Sequence, residues 1–453
     1  MIRTARQCAP SQRRGTVLIV AMWIVLVLAG LVLVFATDAR VELSAAQNHV
    51  ASLQAEAVAR GALQFVLQQL DGVSGSYEPA GDVSFEAVPV GGGWFWVLNP
   101  VLDDDRQFGF GIRDESSRIN LNSAEIDMLL DLPGMTSELA ASILDWRDTD
   151  EEVTPGGAES EYYLLVADPY LCKNGPLERV EETLLVKGMT HEMLFGEDAN
   201  LNGVLDDNEN DAAESDPPDN RDGRLDRGML DFLTVYTREP NQDSEGADRI
   251  DVNRAGSNEL GELVRSHVSE DRYFQVMDRA RRGRPFANVL DFYVKTGLKA
   301  EEFKAMVDRL TTGGPETLSG LVNVNTAPRE VLMCLPGLDE RDVNALVDHR
   351  QAEGADLSTL AWLTEVLAPD KLTAVGGAVT TRSYQYSADI VALSPSGRAF
   401  RRYRVVVDTR TRPPKVLAWT NLTHLGWPLS PELLADVRSG RSIDTWQTAG
   451  GAP

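Results

Sequence analysis

Residues 16–36 read TVLIVAMWIVLVLAGLVLVFA, an apolar run without one charged side chain. A helix crosses the hydrocarbon core of a bilayer with ~20 residues, and this run has that length. Arg3, Arg6, Arg13 and Arg14 precede it, and Asp38 is the first acid after it. The positive-inside rule then keeps the N-terminus in the cytoplasm and sends the rest of the chain across the membrane. Gly15 lies at the junction, before the apolar run rather than after it. A secretory signal peptide is cut after its apolar stretch. A cut after Gly15 would instead leave the apolar helix on the mature chain, with Thr16 as its first residue. A plain uncut anchor has the same topology.

The helical pattern continues past the membrane edge. Val50, Leu53, Ala57, Leu63, Val66, Leu67 and Leu70 recur at helical spacing, and no Pro interrupts residues 16–70. This predicts one helix, apolar all round in its first half and amphipathic in its second. At 1.5 Å per residue it is roughly 80 Å long. Asp71-Gly72 supplies the stop, and the amphipathic half needs a sheet to pack on. Strands are predicted at 93–98 (GWFWVL) and 108–113 (FGFGIR), from aromatic and β-branched content. Near the other end, 384–393 and 399–408 alternate around the turn SPSGR, a hairpin, and 416–420 (VLAWT) adds a further strand.

Between these strand regions the texture is helical and repetitive. Residues 118–147 read RINLNSAEIDMLLDLPGMTSELAASILDWR, and 321–350 read LVNVNTAPREVLMCLPGLDERDVNALVDHR. Asn122, Ala124, Leu132, Pro133, Gly134, Ile143 and Arg147 correspond without a gap to Asn325, Ala327, Leu335, Pro336, Gly337, Leu346 and Arg350, an internal repeat. Each copy predicts two helices around a Pro-Gly turn, with Ser123 and Thr136 as caps in the first. A weaker echo, RIDVNRAGSNEL, starts at Arg249. The repeat resembles the helix-hairpin-helix of DNA-binding proteins, whose turn offers backbone N–H groups to phosphate. Thr136 and Asp339 stand where that motif has its second glycine, and acids surround the second turn. A compact, SAM-like helical packing unit is the favoured reading.

The sharpest local motif is 198–209, DANLNGVLDDNE, which fits the calcium-loop pattern D-x-[DN]-x-[DN]-G-x5-E at every position. Asp198, Asn200 and Asn202 would give side-chain oxygens, Val204 its carbonyl, Asp206 a direct or water-mediated contact, and Glu209 a bidentate carboxylate, while Gly203 permits the turn. A short helix at 190–197 would enter this loop. The acidic, Pro-rich stretch after Glu209 rules out an exiting EF-hand helix. A second loop, DNRDGRLDRG, offers Asp219, Asn220, Asp222, the carbonyl of Arg224, and Asp226. Pro218 and Met229 occupy its first and last motif positions, so it either forms a second site or completes the first. Asp148, Asp150 and Glu159 read as solvated surface.

The chain has 453 residues and a net charge of −26, which argues against nucleic acid and anionic lipid as partners. Five His, none at zinc-ligand spacing, and no P-loop, G-x-S-x-G or dinucleotide fingerprint leave no catalytic residue to name. Cys8 precedes the apolar run; Cys172 and Cys334 are two thiols with the option of pairing in an oxidising compartment.

A basic leader ending in Gly15, then an apolar helix that turns amphipathic and meets antiparallel strands, resembles the type IV pilin and pseudopilin family. The resemblance implies cleavage after Gly15 by a prepilin peptidase and N-methylation of Thr16. Members usually carry Glu at the fifth mature position; here it is Val20. That departure, the pilin-like sheet interrupted by a large insert, and the calcium loop together resemble the K-type minor pseudopilins of type II secretion. The implied architecture is α+β. It comprises a leader (1–15), a transmembrane helix (16–36), a pilin-like helix with first strands (37–117), and an all-α SAM-like or helix-hairpin-helix-like insert (118–380) carrying a calcium region (198–229). C-terminal strands (381–420) and a tail (421–453) complete it. The implied function is to cap and initiate the pseudopilus tip with I- and J-type minor pseudopilins, the major pseudopilin and the inner-membrane platform. The implied location is the bacterial inner membrane, single-pass, with the bulk periplasmic and calcium structural. A membrane-anchored DNA-uptake protein using its hairpins, and an anchored calcium-binding adhesin, are the alternatives from other classes.

Overall fold

The structure, a computed structural model, describes residues 13–212, 214–215, 217–254 and 258–441. The leader up to residue 12, with Cys8, lies outside the described residues, as does the end of the tail. One helix runs unbroken from Arg13 to Leu70. Among the described residues it alone is long and apolar enough to cross a membrane: its most apolar window has a mean hydropathy of 3.2 and is wholly exposed. Gly72 follows with φ +83°, a left-handed conformation that ends the helix at little cost for glycine.

The second half of this helix lies on a sheet, as the pattern predicts, but by a different face. Ala51, Ala55, Val58, Ala59, Ala62, Val66 and Leu70 are buried, whereas Val50 and Leu53 are more than half exposed. The buried face is made mostly of alanine because small side chains let the helix axis approach the strands closely. Val58, Ala62, Val66 and Leu70 pack with Phe95, Val97, Ile390, Val405 and Val407. Each fully buried Val or Leu side chain contributes about 1.5–3 kcal/mol.

The sheet is antiparallel, in the order Val88–Val90, Gly93–Leu98, Gln385–Leu393, Phe400–Asp408, Lys415–Asn421. The predicted C-terminal hairpin is present, with Gln385 opposite Asp408 and Leu393 opposite Phe400. The expected strand at 108–113 is not: Phe110 makes a single bridge to Leu98, and only Arg113–Asp114 pairs with Tyr386 and Ser387. Glycines at 109 and 111 weaken this stretch as a strand. On the sheet's other face, Leu429, Leu433 and Val437, the last two on the helix Pro431–Arg438, pack on Trp96, Val391 and Leu393. The stretch read as a tail thus closes that side.

The insert leaves the sheet at Asp114 and returns at Gln385, strands that neighbour each other. Asp114 Oδ2 accepts from Ser383 Oγ (2.6 Å), Asn323 Nδ2 (2.9 Å) and Thr326 Oγ1 (2.5 Å), tying the two ends of the insert together. The sequence repeat is a structural repeat. Ile119–Asn120 pairs in parallel with Leu233–Thr234, and Val322–Asn323 with Val379–Thr380. Asn120 and Asn323 each accept from the backbone N–H two residues on. Arg147 donates to the carbonyls of Leu121 and Ala124; Arg350 does the same to Val324 and Ala327. The weak echo is a third copy. Ile250–Asp251 pairs in parallel with Leu310–Thr311, Asp251 accepts from Asn253 N (2.8 Å), and Arg284 Nε donates to Val252 O (2.8 Å).

These ladders correct the all-α reading of the insert: it is mainly helical with short two-stranded ladders. Two-residue strands carry too few alternations to register as strands in a sequence. The Pro-Gly turns are as expected, with φ +75° at Gly134 and +76° at Gly337. Thr136 caps the second helix of the first copy (Leu139 N, 3.2 Å). Ser123 does not cap the first; the residue before that helix is Glu125, which makes no capping bond. Cys172 and Cys334 are buried free thiols.

Candidate metal centre

The loop 198–209 follows the short helix His191–Phe195, which is capped by Thr190 and ended at Gly196 with φ +65°. Its side chains fold inward. Asp198, 5 % exposed, accepts from Asn202 N (3.1 Å) and Gly203 N (2.8 Å). Glu209, 1 % exposed, closes the loop by accepting from Ala199 N (2.9 Å) and Asp206 N (3.0 Å). Asn200 and Asn202 both donate to Asp206 Oδ2, at 2.6 and 3.1 Å. Gly203 has φ +75° and leaves no room for a Cβ, which would lie 2.5 Å from Pro100.

Three carboxylates, Asp198, Asp206 and Glu209, lie in this poorly solvated loop. Burial raises all three. Glu209, with Asp198 and Asp206 beside it, is pushed up to about 8, and Asp198 to about 6. The donor set is all oxygen, the kind hard cations take. Asn200 Oδ1 is buried without a hydrogen-bond partner. A half-turn of an Asn amide exchanges its NH2 for its oxygen, so Asn200 is placed to offer an oxygen to a cation, while the amide of Asn202 is fixed between Val204 N and Pro428 O. The residues therefore fit calcium: Asp198, Asn200, Asn202, the Val204 carbonyl, Asp206 and Glu209 would hold it.

The second loop has the conformation of the first. Leu201 and Gly203 (φ +55° and +75°) are matched by Arg221 and Gly223 (φ +54° and +78°). Asn220 Nδ2 donates to Asp226 Oδ2 (2.8 Å) as Asn200 does to Asp206, and Asp222 accepts from Arg224 N (2.9 Å) as Asn202 does from Val204 N (2.6 Å). Asp219 lies just before it and accepts from Arg221 N and Asp211 N. Its missing last-position acid comes from outside the motif. Glu197 accepts from Asn220 N (3.0 Å) and Asp226 N (3.2 Å), standing where Glu209 stands in the first loop. Gly196 and Arg227 form an antiparallel bridge that joins the two loops. Sequence reasoning missed Glu197 because it precedes both motifs; the residue adjacent to Asp198 was the available signal.

The first loop is anchored to the sheet. Arg402, on Phe400–Asp408 and fully buried, pairs with Asp389 (2.8 Å) and donates to the carbonyls of Asn200 and Leu201. Asn202 Nδ2 reaches Pro428 O (2.9 Å), and Arg227 Nη2 joins Val101 O to Gly203 O. Asp105 holds both loops, taking Leu225 N on its side chain and Leu205 N on its carbonyl.

A third acidic group differs from its sequence reading. Asp145, Asp148 and Glu159 bring carboxylate oxygens within 4.8 Å of one another. Asp150 stays apart, accepting from Glu152 N (2.8 Å), and Asp145, not singled out in the sequence, replaces it. The intervening loop turns back onto the helix Ser137–Arg147, a fold-back that spacing does not reveal.

An apolar helix laid by its outer half on an antiparallel sheet, with a bulky insert between the strands, defines a membrane-anchored, pilin-like subunit. Sequence models of one family, described as "Type II secretion system (T2SS), protein K", match residues 115–195 and 322–380, and over these two segments the chain is similar to that family. The matched segments hold the first and second repeat copies; both acidic loops at 198–226 lie outside them. The family is a structural component of a secretion machine. No curated protein matches the chain. Among solved structures, a chain in the crystal structure of the GspK-GspI-GspJ complex from the enterotoxigenic Escherichia coli type 2 secretion system is similar. Its identity is 12 %, the match covers 85 % of this chain and 99 % of that one, and the TM-score is 0.42.

Proposed function

We propose that this protein is a minor pseudopilin that sits at the tip of the pseudopilus with I- and J-type partners and starts its assembly on the major pseudopilin. The observation that carries this reading is the undivided helix Arg13–Leu70, whose first half is exposed and apolar and whose second half is fixed to the sheet. Such a helix sits in the inner membrane before assembly and packs against partner helices after it. Prepilin peptidase cuts after Gly15, the new N-terminal Thr16 is methylated, and the bulk faces the periplasm. Val20 supports a tip position, since a subunit with no neighbour above it needs no acid to meet that neighbour's N-terminal amine. The bulky insert supports it too, because it hinders stacking of a further subunit. The protein works by assembly.

Calcium is proposed as a structural ion of the insert, held by the residues of 198–209 and by Asn220, Asp222, the Arg224 carbonyl, Asp226 and Glu197, with Asp219 alongside. Bound calcium neutralises carboxylates that otherwise repel. The chain's own contribution is to fix the loop on the sheet through Arg402, so that ordering the loop also orders the insert's seat. The DNA-hairpin reading is disfavoured by the turns themselves. The helix N-terminus after the second turn is capped by Asp339, which accepts from Arg341 N and Asp342 N, and the first by Thr136. A carboxylate in that position repels phosphate.

The mass of the mature N-terminus tests the processing step: a methylated Thr16 is expected, and an intact Met1 contradicts the reading. Co-purification of the full chain with two other pilin-like proteins, lost when the apolar half of the helix is exchanged for an unrelated membrane span, tests the assembly step.

A further inference from the structure

We propose that residues 162–185 form a docking surface for another protein, one that presents an apolar patch bordered by Lys or Arg. Among the described residues beyond the long helix, seven of the ten exposed large apolar side chains fall between Val153 and Leu185. Single exposed apolar residues are ordinary surface, whereas a cluster marks a contact. Leu165 is 83 % exposed and Leu171 64 %.

The cluster is held in place by its own hydrogen bonds. The short helix Ser160–Tyr163 leads into a turn carrying Leu164 and Leu165, whose N–H groups donate to Ser160 O and Tyr162 O (both 3.0 Å). Tyr170 N returns to Tyr163 O (3.3 Å), and the rings of Tyr163 and Tyr170 stack with centroids 5.3 Å apart. Trp146 packs edge-on against both rings. Tyr170 Oη donates to Leu185 O (2.7 Å), which brings the 3-10 helix Val180–Leu185 beside this turn, and Lys187 N donates to Tyr163 Oη (3.1 Å). Tyr162, Leu164, Leu165, Leu171, Leu184 and Leu185 thus stand on one fixed base. A surface ordered in advance loses little entropy when a partner docks.

The border of the cluster is acidic. Glu161 and Asp168 are exposed and make no ion pair among the described residues. Two nearby cations are engaged: Lys173 pairs with Glu182 (2.8 Å), and Lys187 donates to the carbonyls of Gly156 and Gly157 (3.1 and 2.9 Å). Residues 148–192 carry eleven Asp or Glu against three Lys or Arg. An apolar centre inside a polar rim is the anatomy of a protein–protein contact, and a rim of this sign selects a basic partner. The same rim disfavours the other occupants. Two copies would set acid against acid, and anionic lipid would be repelled.

The test is biolayer interferometry on the full-length chain in nanodiscs of zwitterionic lipid, with empty discs as the blank. The probe is a short amphipathic helical peptide with a leucine face flanked by lysines; its counterpart carries glutamates in place of the lysines. The Leu–Lys peptide is expected to bind, less tightly as salt rises. The Leu–Glu peptide should bind at least about tenfold more weakly, a change of ~1.4 kcal/mol. Leu165→Ser combined with Leu171→Ser, at the most exposed positions where folding is least at risk, should weaken the Leu–Lys peptide by the same factor. Leu417→Ser, at an exposed leucine on the strand Lys415–Asn421, should not. The proposal is overturned if the doubly substituted chain binds the Leu–Lys peptide as the native chain does, or if both peptides bind alike. A chain that sediments in detergent as a dimer and becomes monomeric with the two serines would assign the surface to a second copy. Capture of phosphatidylglycerol vesicles by the disc-held chain, lost with the same serines, would assign it to lipid. Either of these results also overturns the proposal.

Discussion

The loops at 198–209 and 219–226 share a backbone but not an environment. Both turn through paired positive-φ residues, and both direct an Asn amide to an Asp carboxylate. The first is buried against the sheet, held by Arg402 and the Pro428 carbonyl, with Asp198, Asn202 and Glu209 nearly inaccessible. The second is largely exposed, and Glu197 accepts from its Asn220 and Asp226 N–H groups. One loop is therefore part of the joint between insert and sheet, while the other is an appendage tied to it. The difference teaches that a matching motif does not fix a mechanical role; the partner surface does.

The largest way to break this comparison is to remove the joint. Arg402→Met leaves Asp389 buried with Arg404 (3.3 Å) as its remaining ion pair and frees two loop carbonyls. Removing one partner of a buried ion pair costs about 3–5 kcal/mol, so a clear drop in thermal midpoint is expected. No substitution in the second loop should approach it.

Chelation sharpens the comparison through pH. Glu209 has a folded pKa of about 8 against an ordinary 4.5, so in the cation-free protein the folded state holds the extra proton. Stability then falls as pH rises from about 4.5 to about 8, because the unfolded chain releases that proton first. With calcium bound the carboxylate stays ionised and this slope should vanish. Denaturation midpoints across that range, with calcium and with chelator, check it.

A smaller effect separates the closing acids. Glu209→Gln should weaken calcium at the first loop at least about tenfold and restore cleavage of the insert by protease. Glu197→Gln should release the second loop alone and leave protection of 198–209 in place. The smallest effect concerns the repeats. Thr136→Ala and Asp339→Ala each remove an N-cap worth about 1 kcal/mol, and similar losses are expected because both copies use the same turn.

The long helix, the C-terminal hairpin and the gapless repeat were legible because each rests on periodicity over many residues. The helix's buried face was misread at Val50 and Leu53, since a sheet packed close by favours alanine over larger apolar residues. The strand at 108–113 failed on its glycines. The first acidic loop was readable as a contiguous motif. Glu197, Asp145 and Arg402 were not, because each joins its site through a fold-back or from a distant strand.

Hydrogen exchange on the full-length chain in detergent, compared with calcium and with chelator, tests the central claim that a cation orders the joint between insert and sheet. The account predicts that calcium slows exchange across 197–226, most strongly at Asn202 and Gly203, while the strand Phe400–Asp408 stays protected in both conditions. Equal exchange across 197–226 with and without calcium would contradict it.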